Sequence, residues 1–256
     1  MENGYKVAVI TGASVGIGEA IAERFSQDDM KLVLIARRRE KLETISKRLS
    51  KHTECHVLTC DLADKAAMTA GLLNLPPDFK SVDVLVNNAG LALGLEPAQR
   101  ASWQDWQTMI DTNISALAFM THLLLPGMVE RNRGHIVNIG SVAGTYAYAG
   151  GNVYSASKAF VEHFSRNLKA DLLGTAVRVT NIEPGMVAGS EFSLIRFGGD
   201  QERAQQVYAG AQPLMPESIA DSVFWAVSRP ANVNVTRIEV MPICQAPNRL
   251  AIHRKP

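Results

Sequence analysis

Seven short β-rich runs recur along the chain, apolar on both faces and separated by helical patterns. They are KVAVIT (6–11), KLVLIA (31–36), CHVLTC (55–60), VDVLVN (82–87), GHIVNI (134–139), AVRVTNI (176–182) and RIEVMP (237–242). Helical patterns occupy, among others, residues 19–26, 40–49 and 103–130. Strands without polar alternation have no face for water, so they predict a parallel sheet covered by helices on both sides. The expected fold is therefore a Rossmann-like, doubly wound α/β sheet of about seven strands. No repeat, low-complexity tract or linker interrupts residues 1–256, which read as a single domain. One stretch, residues 186–212, departs from the alternation after the sixth run. A long insertion at that place is expected to cover a binding site.

Charge and cysteine content narrow the function classes. The 26 basic and 25 acidic residues nearly cancel, so no long-range field points to nucleic acid or an anionic membrane. Three cysteines, Cys55, Cys60 and Cys244, make no disulfide framework and fit a reducing cytosol. The N-terminal MENGYKVAVI lacks the basic stretch and apolar core of a signal peptide, so a cytoplasmic location is expected. Residues 112–129 carry no formal charge, close to the length of a membrane span. Asn113, Ser115, Thr121, His122, Pro126 and Gly127 break that run, which reads better as a helix in a core or between subunits. The sequons NIS and NVT are chance matches in a chain read as cytoplasmic.

Ligands of such sheets bind beyond the carboxyl ends of the strands. The first strand runs into TGASVGIGEAIAERF, where Gly12, Gly16 and Gly18 permit a tight turn at a helix N-terminus. That arrangement suits a pyrophosphate, with Ser14 and Ile17 in the same turn. The spacing is GxxxGxG rather than GxGxxG, and its place after a first strand favours a dinucleotide over mere packing. The second strand ends in Arg37, Arg38 and Arg39, where an NAD site usually places an acid. Arginine forks suit the 2′-phosphate of NADP; Arg37 and Arg38 are the candidates and Arg39 reads as surface. Asp61 and Leu62, after the third strand, are placed for the adenine, and Asn88, Ala89 and Gly90, after the fourth, for close backbone approach. No metal is expected: HTECH (52–56) with Cys60 gathers ligand types without paired spacing.

In GGNVYSASKAFVEHF, Tyr154 and Lys158 lie four residues apart, on one face of a helix. Alone, such a pair is most simply a packed ring and a solvated charge. Taken in order, TGxxxGxG, NNAG, a strand-end serine and YxxxK resemble the short-chain dehydrogenase/reductase family, over essentially the whole chain. Stretches such as NNAGLALGLEPA and GTAVRVTNIEPG resemble its NADP-dependent 3-hydroxy acid dehydrogenases, which act on serine, allo-threonine and 3-hydroxypropionate-type substrates.

The resemblance implies a tetrad of Asn113, Ser141, Tyr154 and Lys158. Tyr154 would exchange the substrate proton, and Lys158 and the oxidised nicotinamide would both favour its phenolate. Ser141 would orient the substrate oxygen. Lys158 would also hold the nicotinamide ribose, and Asn113 would anchor a water. In the family's PGxVxT, Pro184, Gly185 and Val187 match, while an extra residue precedes Ser190. Ser14 and Val15 stand where many NADP-preferring relatives carry a basic residue, which leaves selectivity to Arg37 and Arg38. Arg196, set in EFSLIRFGGD, is the candidate for a substrate carboxylate. The resemblance also implies a homo-oligomer, a tetramer or dimer. A broader carbonyl or 3-ketoacyl reductase, and a non-catalytic NADP-sensing regulator, are the alternative readings.

Overall fold

The computed structural model describes residues 4–247. Among them, seven parallel strands form one sheet in the order β3-β2-β1-β4-β5-β6-β7. The strands are β1 (Val7–Thr11), β2 (Lys31–Ala36), β3 (Cys55–Thr59), β4 (Val84–Asn87), β5 (Gly134–Ile139), β6 (Val177–Pro184) and β7 (Arg237–Val240). The doubly wound expectation holds, with β6 extending two residues beyond its apolar run to Pro184.

Successive strand residues point to opposite faces, and two cores result. Ala8, Ile10, Leu32, Leu34, Val84 and Val86 face α1 (Gly16–Ser26) and α2 (Arg39–Leu49), where Ile21, Phe25, Leu42 and Ile45 are buried. Val7, Val9, Val33, Ile35 and Leu85 face the other way, toward Met68 of α3 (Lys65–Leu73). The inner strands are buried on both sides, but β3 and β7 are only half-buried. Apolar pattern overstated their burial, because both lie at edges of the sheet, where helices cover less of a strand.

Residues 103–130 make one continuous helical stretch: α4 (Trp103–Ile110), a π-helical segment (Asp111–Ala116) and α5 (Leu117–Glu130). Among the described residues it is the stretch long and apolar enough to cross a membrane, with a third of its most apolar window buried. Met109, Met120 and Met128 enter the core from it. Helix α6 (Asn152–Asp171) packs beside it and carries Tyr154 and Lys158. After β6 come α7 (Phe192–Arg196), α8 (Gln201–Gln206) and α9 (Pro216–Ser228). The 186–212 insertion is thus two short helices in a loop, tethered where Val187 bridges to Leu214.

Candidate active site

Strand order reverses between β1 and β4, and a cleft of about 1170 Å³ opens at their carboxyl ends. Thr11 fixes its floor. The Thr11 hydroxyl donates to the Val86 carbonyl (3.3 Å) and accepts from the N–H groups of Asn88 and Ala89, both at 3.0 Å. Asn88 returns the contact, its amide donating to the carbonyls of Thr11 (2.9 Å) and Gly12 (3.2 Å). Gly12 sits at φ +65°, and a Cβ on Gly18 would run into the Gly12 carbonyl. The turn therefore requires glycine for its own folding. Val15 supplies no capping side chain to α1, so its first N–H groups are left open at the cleft.

The second-strand arginines separate. Arg37 and Arg38 line the cleft, whereas Arg39 pairs with Glu43 on the surface at 2.6 Å. Arg38 donates through Nη2 to the Ser14 hydroxyl (3.2 Å) and through Nη1 to Glu191 (2.6 Å). Lys41 Nζ reaches the other oxygen of Glu191 at 2.7 Å. The Lys41 hydrogen bond, with that of Arg38, holds the Glu191 carboxyl below its ordinary range. Ile17, Asp61, Leu62, Ala89 and Gly90 also line the cleft. A glycine turn that leaves no room for Cβ, an uncapped helix start and a cation cluster fit a dinucleotide carrying an extra phosphate.

At the other end of the cleft the four expected tetrad residues come together. Asn113 lies in the π-helical segment and is buried. It clamps Leu91 with two 2.9 Å bonds, accepting from its N–H and donating to its carbonyl, and donates to the Ser157 hydroxyl at 3.0 Å. Gly90 passes beside Asn113 and Lys158, where a Cβ would lie 3.3 Å from Asn113 Oδ1 and Lys158 Nζ alike. Lys158 donates to the Ile139 carbonyl at 2.8 Å. Burial pulls its ammonium down to about 8. Ser141 accepts from the Ala143 N–H at 3.1 Å and donates to the Pro184 carbonyl at 3.5 Å.

The phenol of Tyr154 is buried. Burial pushes it up to about 12, and the influences that lower it are the Ser141 hydrogen bond and the charge of Arg196. Lys158 Nζ stands 6.0 Å from the ring centroid and gives one of its three hydrogens to the Ile139 carbonyl. The Arg196 guanidinium and the Lys158 ammonium thus stand at comparable distances from the ring, 5.6 and 6.0 Å from its centroid.

Pro184, Gly185, Val187 and Ser190 line the cleft beneath the insertion, and Ser190 lies against Gly16. Arg196 turns inward. Its guanidinium lies 5.6 Å from the Tyr154 ring centroid and 5.5 Å from that of Tyr148. It donates to the Gly94 carbonyl (3.2 Å) and the Tyr148 hydroxyl (2.8 Å). Those partners are neutral, and among the described residues no carboxylate forms an ion pair with it. Sequence reasoning missed Tyr148, Lys41, Glu191 and Gln245, whose side chain accepts from the Met186 N–H at 2.7 Å. Each acts across long sequence separations that carry no local pattern. Among the described residues the HTECH segment does not converge on a metal-like set: the His56 ring packs on Phe79, and Cys55 is a half-buried free thiol.

Residues 6–194 match the short chain dehydrogenase family. The chain belongs to that family. Two relatives align over 97% of the chain. An NADP-dependent 3-hydroxy acid dehydrogenase of Salmonella typhi is 52% identical, with 99% of it covered. Sulfoacetaldehyde reductase 2 of Chromohalobacter salexigens is 46% identical, with 98% of it covered. Among solved structures, the closed form of serine dehydrogenase complexed with NADP+ superposes with a TM-score of 0.94. It is 49% identical, and the match covers 97% of this chain and all of that one.

Proposed function

We propose that this protein is an NADP-dependent oxidoreductase acting on short 3-hydroxy acids of the serine, allo-threonine or 3-hydroxypropionate type, or on their carbonyl counterparts. The observation that carries the substrate class is Arg196, a guanidinium with neutral partners set over the Tyr154 ring. A carboxylate two carbons from the reacting centre would supply its missing counter-charge. The similar sulfoacetaldehyde reductase is named for a substrate that is also a short anion.

NADP(H), when bound, accepts or supplies the hydride through its nicotinamide. The turn of Gly12, Ser14, Gly16, Ile17 and Gly18 would hold the pyrophosphate, and Arg37 and Arg38 the 2′-phosphate. Asp61 and Leu62 would flank the adenine, the backbone of Asn88, Ala89 and Gly90 would approach the cofactor closely, and Pro184, Gly185, Val187 and Ser190 would meet the nicotinamide end. Tyr154 holds the proton exchanged with the substrate oxygen, and Ser141 orients that oxygen. A phenol that titrates near 12 is already protonated at neutral pH, ready to act as the acid in carbonyl reduction. Lys158 and Asn113 keep Tyr154, Gly90 and Leu91 in register around the reacting oxygen.

The reading includes a cytoplasmic homo-oligomer, a tetramer or dimer. Val129, Phe160 and Leu173, on or just beyond α5 and α6, are exposed apolar residues that a second copy would cover. The test of the substrate class is Arg196→Leu. Losing a charge-assisted contact of about 1.5–3 kcal/mol should raise KM for 3-hydroxy acids at least tenfold and spare neutral aldehydes. Equal losses on charged and neutral substrates would overturn it.

A further inference from the structure

Glu191 is an acid in a place built for an anion. It opens the lid helix α7, yet its carboxylate reaches back to the adenosine end of the cleft, bridging Arg38 at 2.6 Å and Lys41 at 2.7 Å. Arg38 simultaneously bonds Ser14 in the glycine turn. Three segments far apart in sequence, the turn, the start of α2 and the lid, are thus joined through one guanidinium. Arg38 and Ser14 are groups that the NADP reading gives to the cofactor, so the carboxylate occupies one of the two guanidinium groups assigned to the 2′-phosphate. All three charged side chains are partly exposed, at 42% for Arg38, 45% for Lys41 and 30% for Glu191. A ligand can therefore reach the cluster from solvent.

We propose that Glu191 is a built-in competitor of the cofactor's 2′-phosphate, latching the lid to Arg38 and Lys41 until that phosphate displaces it. Two anions cannot share these cations without repulsion, and the phosphate carries the larger charge. Displacement frees the N-terminal end of α7, the helix whose other end carries Arg196. A cofactor without the 2′-phosphate leaves the latch shut. Glu191 is then a specificity-determining residue that lowers affinity for NADP while coupling its arrival to lid movement. This inference rests on the NADP reading above.

The experiment compares wild type with Glu191→Gln, using adenosine 2′,5′-bisphosphate and AMP as probes and calorimetry as the readout. The variant should bind the bisphosphate roughly three- to tenfold more tightly, the scale of two partly exposed ion pairs, with AMP unchanged. Hydrogen exchange of residues 190–197 should rise in wild type with the bisphosphate but not with AMP, and should already be raised in the variant. Unchanged or weaker bisphosphate binding would overturn the proposal, as would an equal gain for both probes. Wild type that binds both probes equally would instead reject the NADP reading itself.

Discussion

Replacing Lys158 by Met should make the cofactor-free protein more stable relative to wild type near neutral pH than in alkali. The Lys158 ammonium is buried, 7% exposed, and titrates near 8 rather than 10.5. A base whose folded value is depressed costs stability while it stays protonated. That cost is full below about 8 and is relieved as pH rises toward the unfolded value of 10.5. From these two values it is roughly 3 kcal/mol near pH 7 and under about 1 near pH 10. Methionine removes the charge at similar length but leaves the Ile139 carbonyl unpaired, a loss of about 1–3 kcal/mol that does not vary with pH. The net effect near pH 7 is therefore small. The change with pH, roughly 2.5 kcal/mol, survives. At about 2–4 °C per kcal/mol for a chain of this size, the variant-minus-wild-type Tm should fall by roughly 5–10 °C between the two pH values. Thermal denaturation by circular dichroism without cofactor measures it. A Tm difference that stays constant from neutral to alkaline pH would refute the buried-ammonium reasoning.

Tyr154→Phe should reduce turnover about 100-fold or more while calorimetry shows NADP binding nearly intact, since only the titratable oxygen is lost. Retention of a tenth of the wild-type rate would exclude Tyr154 as the proton carrier. Arg37→Asp and Arg38→Asp should each narrow the preference for NADP over NAD at least tenfold, as expected for losing a charge-assisted contact of about 1.5–3 kcal/mol. Unchanged ratios of kcat/KM in both variants would reject the phosphate assignment. Light scattering at micromolar concentration should find a tetramer or dimer; a monomer would leave the apolar surface of α5 and α6 unexplained.

The sheet was legible because burial on two faces leaves a direct mark on sequence, an unbroken apolar run. Its edges were not, since covering by helices depends on strand order rather than on composition. The cleft was legible wherever one residue type is demanded locally. Gly18 abuts the carbonyl of its own turn, and Tyr154 and Lys158 share a helix face. Pairings through space left no such trace. Arg38 meets Glu191 across 153 positions, and Arg196 meets Tyr148 across 48. Sharing a helix face put Lys158 near Tyr154, whereas the second cation over that ring, Arg196, comes from 42 positions further on and left no local pattern.

The Thr11–Asn88 clamp also sets an order of assembly. Ala8 pairs with Leu32, 24 positions on, and with Val84, 76 positions on. Closing the shorter loop costs less chain entropy, so β1 and β2 can join while the rest of the chain is still being synthesised. The glycine turn, Arg37 and Arg38 are all encoded in that early portion, but Asn88, which pins the turn, arrives only with β4. Until it docks, the Gly12 carbonyl lacks its bond from the Asn88 amide, and the turn lacks one of the contacts that fix its shape. A nascent chain thus carries Arg37 and Arg38 well before it has a rigid cradle, and Tyr154 emerges after both. Adenine nucleotides present during refolding should accordingly speed the docking of β4 more than any later step.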